Sequence, residues 1–337
     1  FFLAPMAGYT DAAFRSICKD FGSGMGYTEV AVAQGLMRRS KPSWHILETV
    51  PNERPIAAHI YGSDPEIMAR TAAAIEDTER FDLIDINCGC PVRKIVAKGA
   101  GAALIRTPKR IGEIVRAVRS AVALPVTVKT RIGFDMERPR IREIAEEVET
   151  AGAHALAIHG RYAACHHRGD VDWELIAAIK QDCRIAVIGN GGILTAQDAL
   201  RRMQESGVDG IMIARGAVGQ PWIFDDIARL QRGDAVAVRT LPELRVIIER
   251  HLAGLVALKE KEAQYRRKGS FQADPGAATH FRCHLIQYLN GLSDWSDVRR
   301  RFNDLRSSAD IMGVVDEVFA RQSSQIVPPR PRFSDVE

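Results

Sequence analysis

The sequence predicts an α/β fold, a (β/α)8 TIM barrel followed by a smaller C-terminal all-helical domain. Three observations carry the prediction. Eight short apolar, β-branched runs alternate with amphipathic stretches, the pattern of a parallel sheet wrapped in helices. These units fill about 220 residues, close to the roughly 250 usual for a closed barrel. Beyond about Asp234 the strand signal ends and only helical periodicity continues.

The first strand, Phe2–Met6, runs into Pro5-Met6-Ala7, and the second, Met25–Val30, carries Glu29 near its end. Ile56–Tyr61 carries His59 and leads to a helix over Ser63–Thr78, where Ser63-Asp64-Pro65-Glu66 supplies a cap, a first-turn proline and an acid. Leu83–Asn87 ends in Asp85-Ile86-Asn87-Cys88-Gly89-Cys90-Pro91, an amide followed by a thiol between glycine and proline. Thr107-Pro108 opens the next helix, Pro108–Val122. Val126–Arg131 pairs with helix Arg140–Ala151, Ala155–His159 with Trp173–Gln181, and Ile185–Asn190 with Thr195–Ser206. Gly210–Arg215 is the last strand. An open doubly wound sheet competes with this reading, but it usually has fewer strands and a glycine-rich first turn, and none follows Phe2–Met6.

Period-2 patterning supports closure. Ala155, Ala157 and His159 share one face, opposite Leu156 and Ile158, and Thr127, Lys129 and Arg131 likewise share a face. Small and polar residues inward, with bulky apolar residues outward, suit a barrel that holds a ligand at its mouth and packs helices on its wall. Residues 1–236 form this barrel. Three amphipathic helices, Leu241–Glu262, Gly276–Leu292 and Ser296–Arg321, build a helical domain over 241–322, with Lys261–Ala273 as a polar loop. The tail 323–337, with Pro328, Pro329 and Pro331, reads as extended or disordered.

With 337 residues, 46% of them hydrophobic, the chain has material for one large core and a smaller one. A net charge of +4 permits a polyanionic partner without requiring one. The six cysteines, Cys18, Cys88, Cys90, Cys165, Cys183 and Cys283, are scattered in a chain too large to need stapling, so reduced thiols in a cytoplasmic protein are expected. No apolar run approaches the roughly 20 residues of a membrane span, and no signal peptide is visible. The chain begins inside Phe1-Phe2-Leu3-Ala4 without a Met, which implies a few residues upstream.

Active sites of such barrels lie at the C-terminal ends of the strands. Here those ends carry Pro5-Met6-Ala7, Glu29, His59, Asn87 with Cys90, Lys129 with Arg131, His159 with Arg161, Asn190-Gly191-Gly192 and Ala214-Arg215-Gly216. The last two sets suit a phosphate, since the glycines leave backbone amides uncovered and Arg215 adds a fixed charge. Plain glycine turns are the alternative. Lys129 and His159 face one bound ring, or else join a buried network with Glu29 or Asp85. Cys88 and Cys90 lack a second nearby pair, and His166-His167 lie in a loop, so no metal site is expected. Cys90 suits proton transfer, whereas Cys18, Cys183 and Cys283 suit small buried hydrophobes.

Taken in order, these motifs resemble a known family. Leu3-Ala4-Pro5-Met6-Ala7-Gly8 with Thr10-Asp11 and Phe14-Arg15, Gly62-Ser63-Asp64-Pro65, Asp85-Ile86-Asn87, Gly89-Cys90-Pro91, Lys94 and the Gly99–Leu104 stretch are similar to the tRNA-dihydrouridine synthases. So are Val128-Lys129-Thr130-Arg131-Ile132-Gly133, His159-Gly160-Arg161, Ile188-Gly189-Asn190-Gly191, Arg215-Gly216-Ala217 and Gly219-Gln220-Pro221-Trp222. The likeness covers the whole barrel and, weakly, the helical domain, with the bacterial B-type branch most similar.

The resemblance implies an FMN-dependent oxidoreductase that reduces the C5–C6 bond of particular uridines in tRNA, with NADPH as reductant. It implies Cys90 as the acid at C5, with hydride reaching C6 from reduced flavin. Pro5, Met6 and Ala7 would line the flavin. His59, Lys129 and His159 would contact its ring or the base, and Asn190, Gly191, Gly192, Ala214 and Arg215 its phosphate. Asn87, Arg131 and Arg161 would serve the substrate. The family usually has Gln at His59, Gly at Ala214, an acid at Gly192 and a small hydroxyl residue at Tyr162, so flavin affinity and substrate choice are where this chain differs. His59 is expected to donate one hydrogen bond to the flavin. Arg266-Arg267-Lys268 and Arg299-Arg300-Arg301 offer a basic face for tRNA. The competing reading is an FMN barrel reducing a small pyrimidine or enone, which would not need the helical domain.

Overall fold

The computed structural model describes residues 1–266, 271–293 and 299–328. Its sheet contains β1 (Phe2–Leu3), β2 (Gly26–Tyr27), β3 (Ala31–Val32), β4 (Ile56–Tyr61), β5 (Leu83–Cys88), β6 (Val126–Arg131), β7 (Ala155–His159), β8 (Ala186–Asn190) and β9 (Gly210–Ile213). Every pairing is parallel, in the order β1-β9-β8-β7-β6-β5-β4-β2, with β3 also on β4. Leu3 N donates to Met25 O at 3.2 Å, which joins β1 to the approach of β2 and closes the barrel.

The helices between strands are α1 (Ala12–Asp20), the short α2 (Ala33–Met37) and α3 (Lys41–His45), α4 (Pro65–Glu76), α5 (Arg93–Val96), α6 (Pro108–Ala121), α7 (Ile141–Thr150), α8 (Trp173–Asp182), α9 (Ala196–Ser206) and α10 (Ile223–Gln231). Leu156, Ile158, Val128, Ile84 and Ile86 pack outward in the large core beneath them. Ala57, Ala155, Ala157, Ile188 and Met212 fill the barrel interior with Tyr27 and Leu83. The inward-small, outward-bulky pattern holds on β7, whereas Tyr27, Leu83, Ile188 and Met212 put bulky side chains inside.

Several boundaries differ from the sequence reading. The second strand breaks at Thr28-Glu29-Val30, because Thr28 turns its hydroxyl to accept the His59 amide at 3.0 Å and ladder pairing resumes only at Ala31. The first strand stops before Pro5, which has no amide to give. The last stops at Ile213, where Ala214 O and Arg215 O accept from Ala217 N and Val218 N and wind the chain into a turn. Helices α1 and α10 and the short α2, α3 and α5 escaped the sequence reading. Asp11 starts α1 by accepting from Phe14 N at 3.0 Å.

The C-terminal domain holds α11 (Leu241–Ala263), α12 (Ala273–Leu289) and α13 (Ser308–Ala320). Its core, with Ile248, Leu252, Phe281, Leu285 and Val315, also takes in Ala12, Ala13 and Trp222 from the barrel side. A Cβ at Gly254 would stand 3.0 Å from Ala13 Cβ, so glycine there lets α11 lie close on α1. The single helix expected over Ser296–Arg321 is interrupted. Phe302–Asp304 form a tight 3-10 turn, and Ser307 and Asp310 then build a reciprocal cap that starts α13. Phe302 and Leu305 stay buried across the break, which kept the apolar periodicity continuous. Part of that stretch, 294–298, lies outside the described residues. The tail begins tied down rather than free: Leu241 N donates to Gln325 O and Val327 N to Arg239 O, both at 2.8 Å. Residues 267–270 of the expected loop and 329–337 of the tail also lie outside the described set.

Candidate active site

The strand ends converge on a cavity of about 460 Å³ at the C-terminal mouth of the barrel, within the size of small-molecule sites. Every residue expected to serve cofactor, substrate or proton transfer lines it: Pro5, Met6 and Ala7; His59; Asn87 and Cys90; Lys129 and Arg131; His159 and Arg161; Asn190, Gly191 and Gly192; and Ala214 and Arg215. Register explains the gathering. Asn87 lies opposite Lys129, and Arg131, His159 and Asn190 stand side by side on β6, β7 and β8. Glu29 does not line the cavity. It accepts from Gly8 N and so holds the loop after β1. Thr10 also braces that loop, accepting from Met6 N at 2.9 Å.

One wall is a chain of hydrogen bonds beginning beneath the mouth. Thr127 Oγ1 donates to Asp85 Oδ1 at 2.5 Å, and Asp85 Oδ2 lies 2.6 Å from His59 Nδ1. Asn87 Oδ1 accepts from Gly89 N at 3.2 Å and Cys90 N at 2.9 Å, so its amide nitrogen faces His59 Nε2 at 2.8 Å. His59 Nε2 is thus an acceptor, and Nδ1 carries the proton toward Asp85. Both nitrogens are committed. The donor role expected of His59 toward a bound ring is not open to it; its work is to orient Asn87, which in turn orients the Cys90 turn.

Cys88 and Cys90 separate cleanly. Cys88 points outward into the core, and burial, with Asp85, drives its thiol far above the usual range. Cys90 reaches the cavity; burial raises its thiol, while the Val92 amide, Arg131 and Lys129 pull it back. It is therefore a protonated thiol at neutral pH with two cations ready for its thiolate. A Cβ on Gly101 would meet Cys90 O at 2.8 Å, so only glycine fits behind the Cys90 backbone.

The opposite wall is cationic. Lys129 Nζ donates to Asn190 Oδ1 at 3.1 Å, and Asn190 Nδ2 to Met212 O at 2.7 Å. Asn190 thus braces three strands and spends its side chain on protein rather than on a phosphate. Arg131 donates to Tyr162 O at 3.1 Å and His166 O at 2.6 Å, and Arg161 to Gly169 O at 2.8 Å. Burial, then Arg131, lowers the Lys129 ammonium to about 8. Burial, then Arg161, lowers Arg131 to about 10. The described lining residues include four Lys and Arg side chains and no carboxylate. An anion entering this mouth would relieve charge that neutral carbonyls only position.

Gly191 and Gly192 have φ of 123° and 70°, in the region that favours glycine. A Cβ on Gly191 would approach His159 Cδ2 to 2.9 Å. The amides of Gly192 and Ile193 donate to no protein group among the described residues. The N-terminus of α9 is already capped by its own Thr195 and Asp198, so an anion entering here would meet the glycine turn and arginines rather than that helix end. The sequence reading set His167 in a loop and gave it no place in the site. The loop that carries it is pinned, with Ala163 N on Gly133 O at 2.9 Å and Ala164 N on Phe134 O at 2.8 Å. It brings His167 into the cavity, stacked on His159 with centroids 6.2 Å apart. Burial, then Arg131, lowers His167 to about 4. No local motif marks His167; only the turn that carries it could have done so.

Fold and site define a (β/α)8-barrel enzyme whose mouth combines cationic side chains, open glycine-turn amides, an apolar shelf and a protonated thiol. A family profile described as Dihydrouridine synthase matches residues 2–323. The tRNA-dihydrouridine synthase B of Pseudomonas aeruginosa is 35% identical over 96% of this chain and 93% of its own length. That of Shewanella oneidensis is 34% identical over 94% of each. A probable tRNA-dihydrouridine synthase of Treponema pallidum reaches 40% over 68% of this chain and 70% of its own. The chain belongs to the dihydrouridine synthase family, flavin-dependent oxidoreductases that reduce uridine in tRNA. Among the described residues, no helix is long and apolar enough to cross a membrane.

Proposed function

We propose that this chain holds FMN in the barrel mouth and reduces the C5–C6 bond of particular uridines in tRNA, with NADPH as the source of electrons. The mouth carries the reading: cations without a lining carboxylate beside unpartnered amides at Gly192 and Ile193, next to the apolar edge of Pro5, Met6 and Ala7. Gly191, Gly192, Ala214 and Arg215 would hold the phosphate, and Lys129 and His159 the ring. When bound, reduced flavin supplies hydride to uracil C6. Cys90 gives its thiol proton to C5, and Lys129 and Arg131 stabilise the thiolate left behind. Asn87, held by His59, fixes the Cys90 turn, and Arg131 and Arg161 would position the base. A uridine must leave its stack to reach this depth. The purified protein should be yellow, bleach with NADPH under nitrogen, and add two hydrogens to uridines of unmodified tRNA. A colourless protein that cannot be reconstituted with FMN removes the reading.

The helical domain is proposed as the tRNA-holding unit. Arg299, Arg300 and Arg301 are exposed, and Arg301 pairs with Glu317 at 2.6 Å. Of the other basic run, Arg266 pairs with Glu262, and Arg267 and Lys268 lie outside the described residues. Changing Arg299, Arg300 and Arg301 to Gln should weaken tRNA binding and flatten its dependence on salt, by about 0.7–0.9 in log–log slope for each phosphate no longer neutralised. An unchanged slope would move the RNA to another surface.

A further inference from the structure

Three residues distant in sequence meet where the helical domain lies on the barrel. Asp11 caps α1, His251 lies midway along α11, and His284 lies on α12. One ligand-capable atom from each falls within 4.8 Å of the others. Both histidines are fully buried and Asp11 is 9% exposed. Their surroundings are aromatic: Phe14 stacks on His251 at 5.3 Å and tilts against His284 at 4.8 Å, and Phe281 meets His251 edge-on at 4.9 Å.

Hydrogen bonding in this cluster is incomplete on one side. Asp11 Oδ1 accepts from Phe14 N, and His251 Nδ1 lies 3.1 Å from Tyr288 Oη. Asp11 Oδ2, His251 Nε2 and both His284 nitrogens are buried without a partner. The Tyr9 carbonyl is near enough to raise the proton affinity of His284, yet lacks hydrogen-bond geometry. Buried polar groups are nearly always satisfied, and three neighbouring side chains that leave atoms unpaired in one apolar pocket point to a missing shared partner.

We propose that Asp11, His251 and His284 form a site for a divalent first-row transition metal ion, Zn²⁺ foremost, that fastens the helical domain to the barrel. Two imidazoles and one carboxylate suit Zn²⁺, with bonds of about 2.0–2.2 Å and a fourth position for water. The three side chains draw together around the ion from their present spacing. Tyr288 engages His251 Nδ1 and leaves Nε2 open, the outer support metal-binding histidines ordinarily have.

The ion would act on stability and on the mouth rather than on chemistry. From α12, His280 Nε2 donates to Gly8 O at 3.1 Å and Cys283 Sγ to the same oxygen at 3.5 Å. Gly8 belongs to the loop that lines the cavity with Pro5, Met6 and Ala7. Fixing α12 to Asp11 therefore fixes that loop.

The test uses the full chain, stripped by chelator and titrated with Co²⁺. Visible d–d absorption, read as a difference spectrum against any flavin, should saturate at one equivalent and be displaced by Zn²⁺, and Zn²⁺ should raise Tm. Asp11→Asn and His284→Gln should each weaken Co²⁺ binding more than about 10-fold, and Tyr288→Phe by roughly 10-fold. A wild-type protein with neither band nor Zn²⁺-dependent Tm overturns the proposal, as does a full band in a folded Asp11→Asn or His284→Gln protein. Should those variants not fold, Cys165→Ala and His167→Ala decide: a band that survives both supports the site, and a band lost in either moves the ion to the barrel mouth.

Discussion

Cys90→Ala should form dihydrouridine about 10²–10⁴-fold more slowly than the wild type, the span of general acid catalysis, while still binding flavin and bleaching with NADPH. The separation is possible because the turn is held through its backbone. Cys90 N donates to Asn87 Oδ1 and Cys90 O accepts from Ala102 N at 3.0 Å, and neither bond needs the sulfur. Alanine removes the proton and little else. Cys90→Ser keeps a hydroxyl of far higher proton affinity, so it should stay close to alanine in rate, a result that a space-filling role for the thiol would not give. Since burial raises the Cys90 thiol, the acid form prevails at neutral pH and is lost only as pH rises through its elevated value, so single-turnover oxidation of reduced enzyme by tRNA should decline on the alkaline side. Wild-type rates in Cys90→Ala would transfer the proton to another donor.

The strands from β4 to β8 were legible to within a residue because their β-branched runs are bounded by turn residues and alternate small with bulky. The ring of mouth residues followed, since a barrel brings every strand end to one place. What stayed hidden depends on hydrogen bonds between distant segments. The break after Tyr27 is set by Thr28 reaching the His59 amide, and Thr28 reads locally as an ordinary strand residue. The tautomer of His59 follows from which way Asn87 faces. Asn190 looks like a phosphate ligand in sequence and is a brace between strands in space. Asp11, His251 and His284 share no spacing rule at all, because three helices from two domains are needed to bring them together.

Arg15→Met should lower stability by about 3–5 kcal/mol, the usual result of stranding one partner of a buried ion pair, seen as a fall in the urea midpoint. Arg15 is 2% exposed and Glu53 1%. Two bonds of 2.7 and 3.1 Å join them in a fork, and Glu53 Oε1 also accepts from Val50 N at 2.8 Å. Without the guanidinium, Glu53 is a buried carboxylate with one amide for company. The double variant Arg15→Met/Glu53→Leu should recover much of the loss, because an apolar pair of similar volume removes both the attraction and the desolvation that opposed it. Flavin affinity should not recover with it. Arg15 also donates to Thr10 O and Glu48 O, both at 2.7 Å, and Thr10 in turn holds Met6 at the cavity edge. Flavin fluorescence and urea denaturation on the single and double variants separate the two duties. Recovered stability with weakened flavin binding assigns Arg15 to the mouth as well as to the core, whereas parallel recovery of both would reduce it to a packing role.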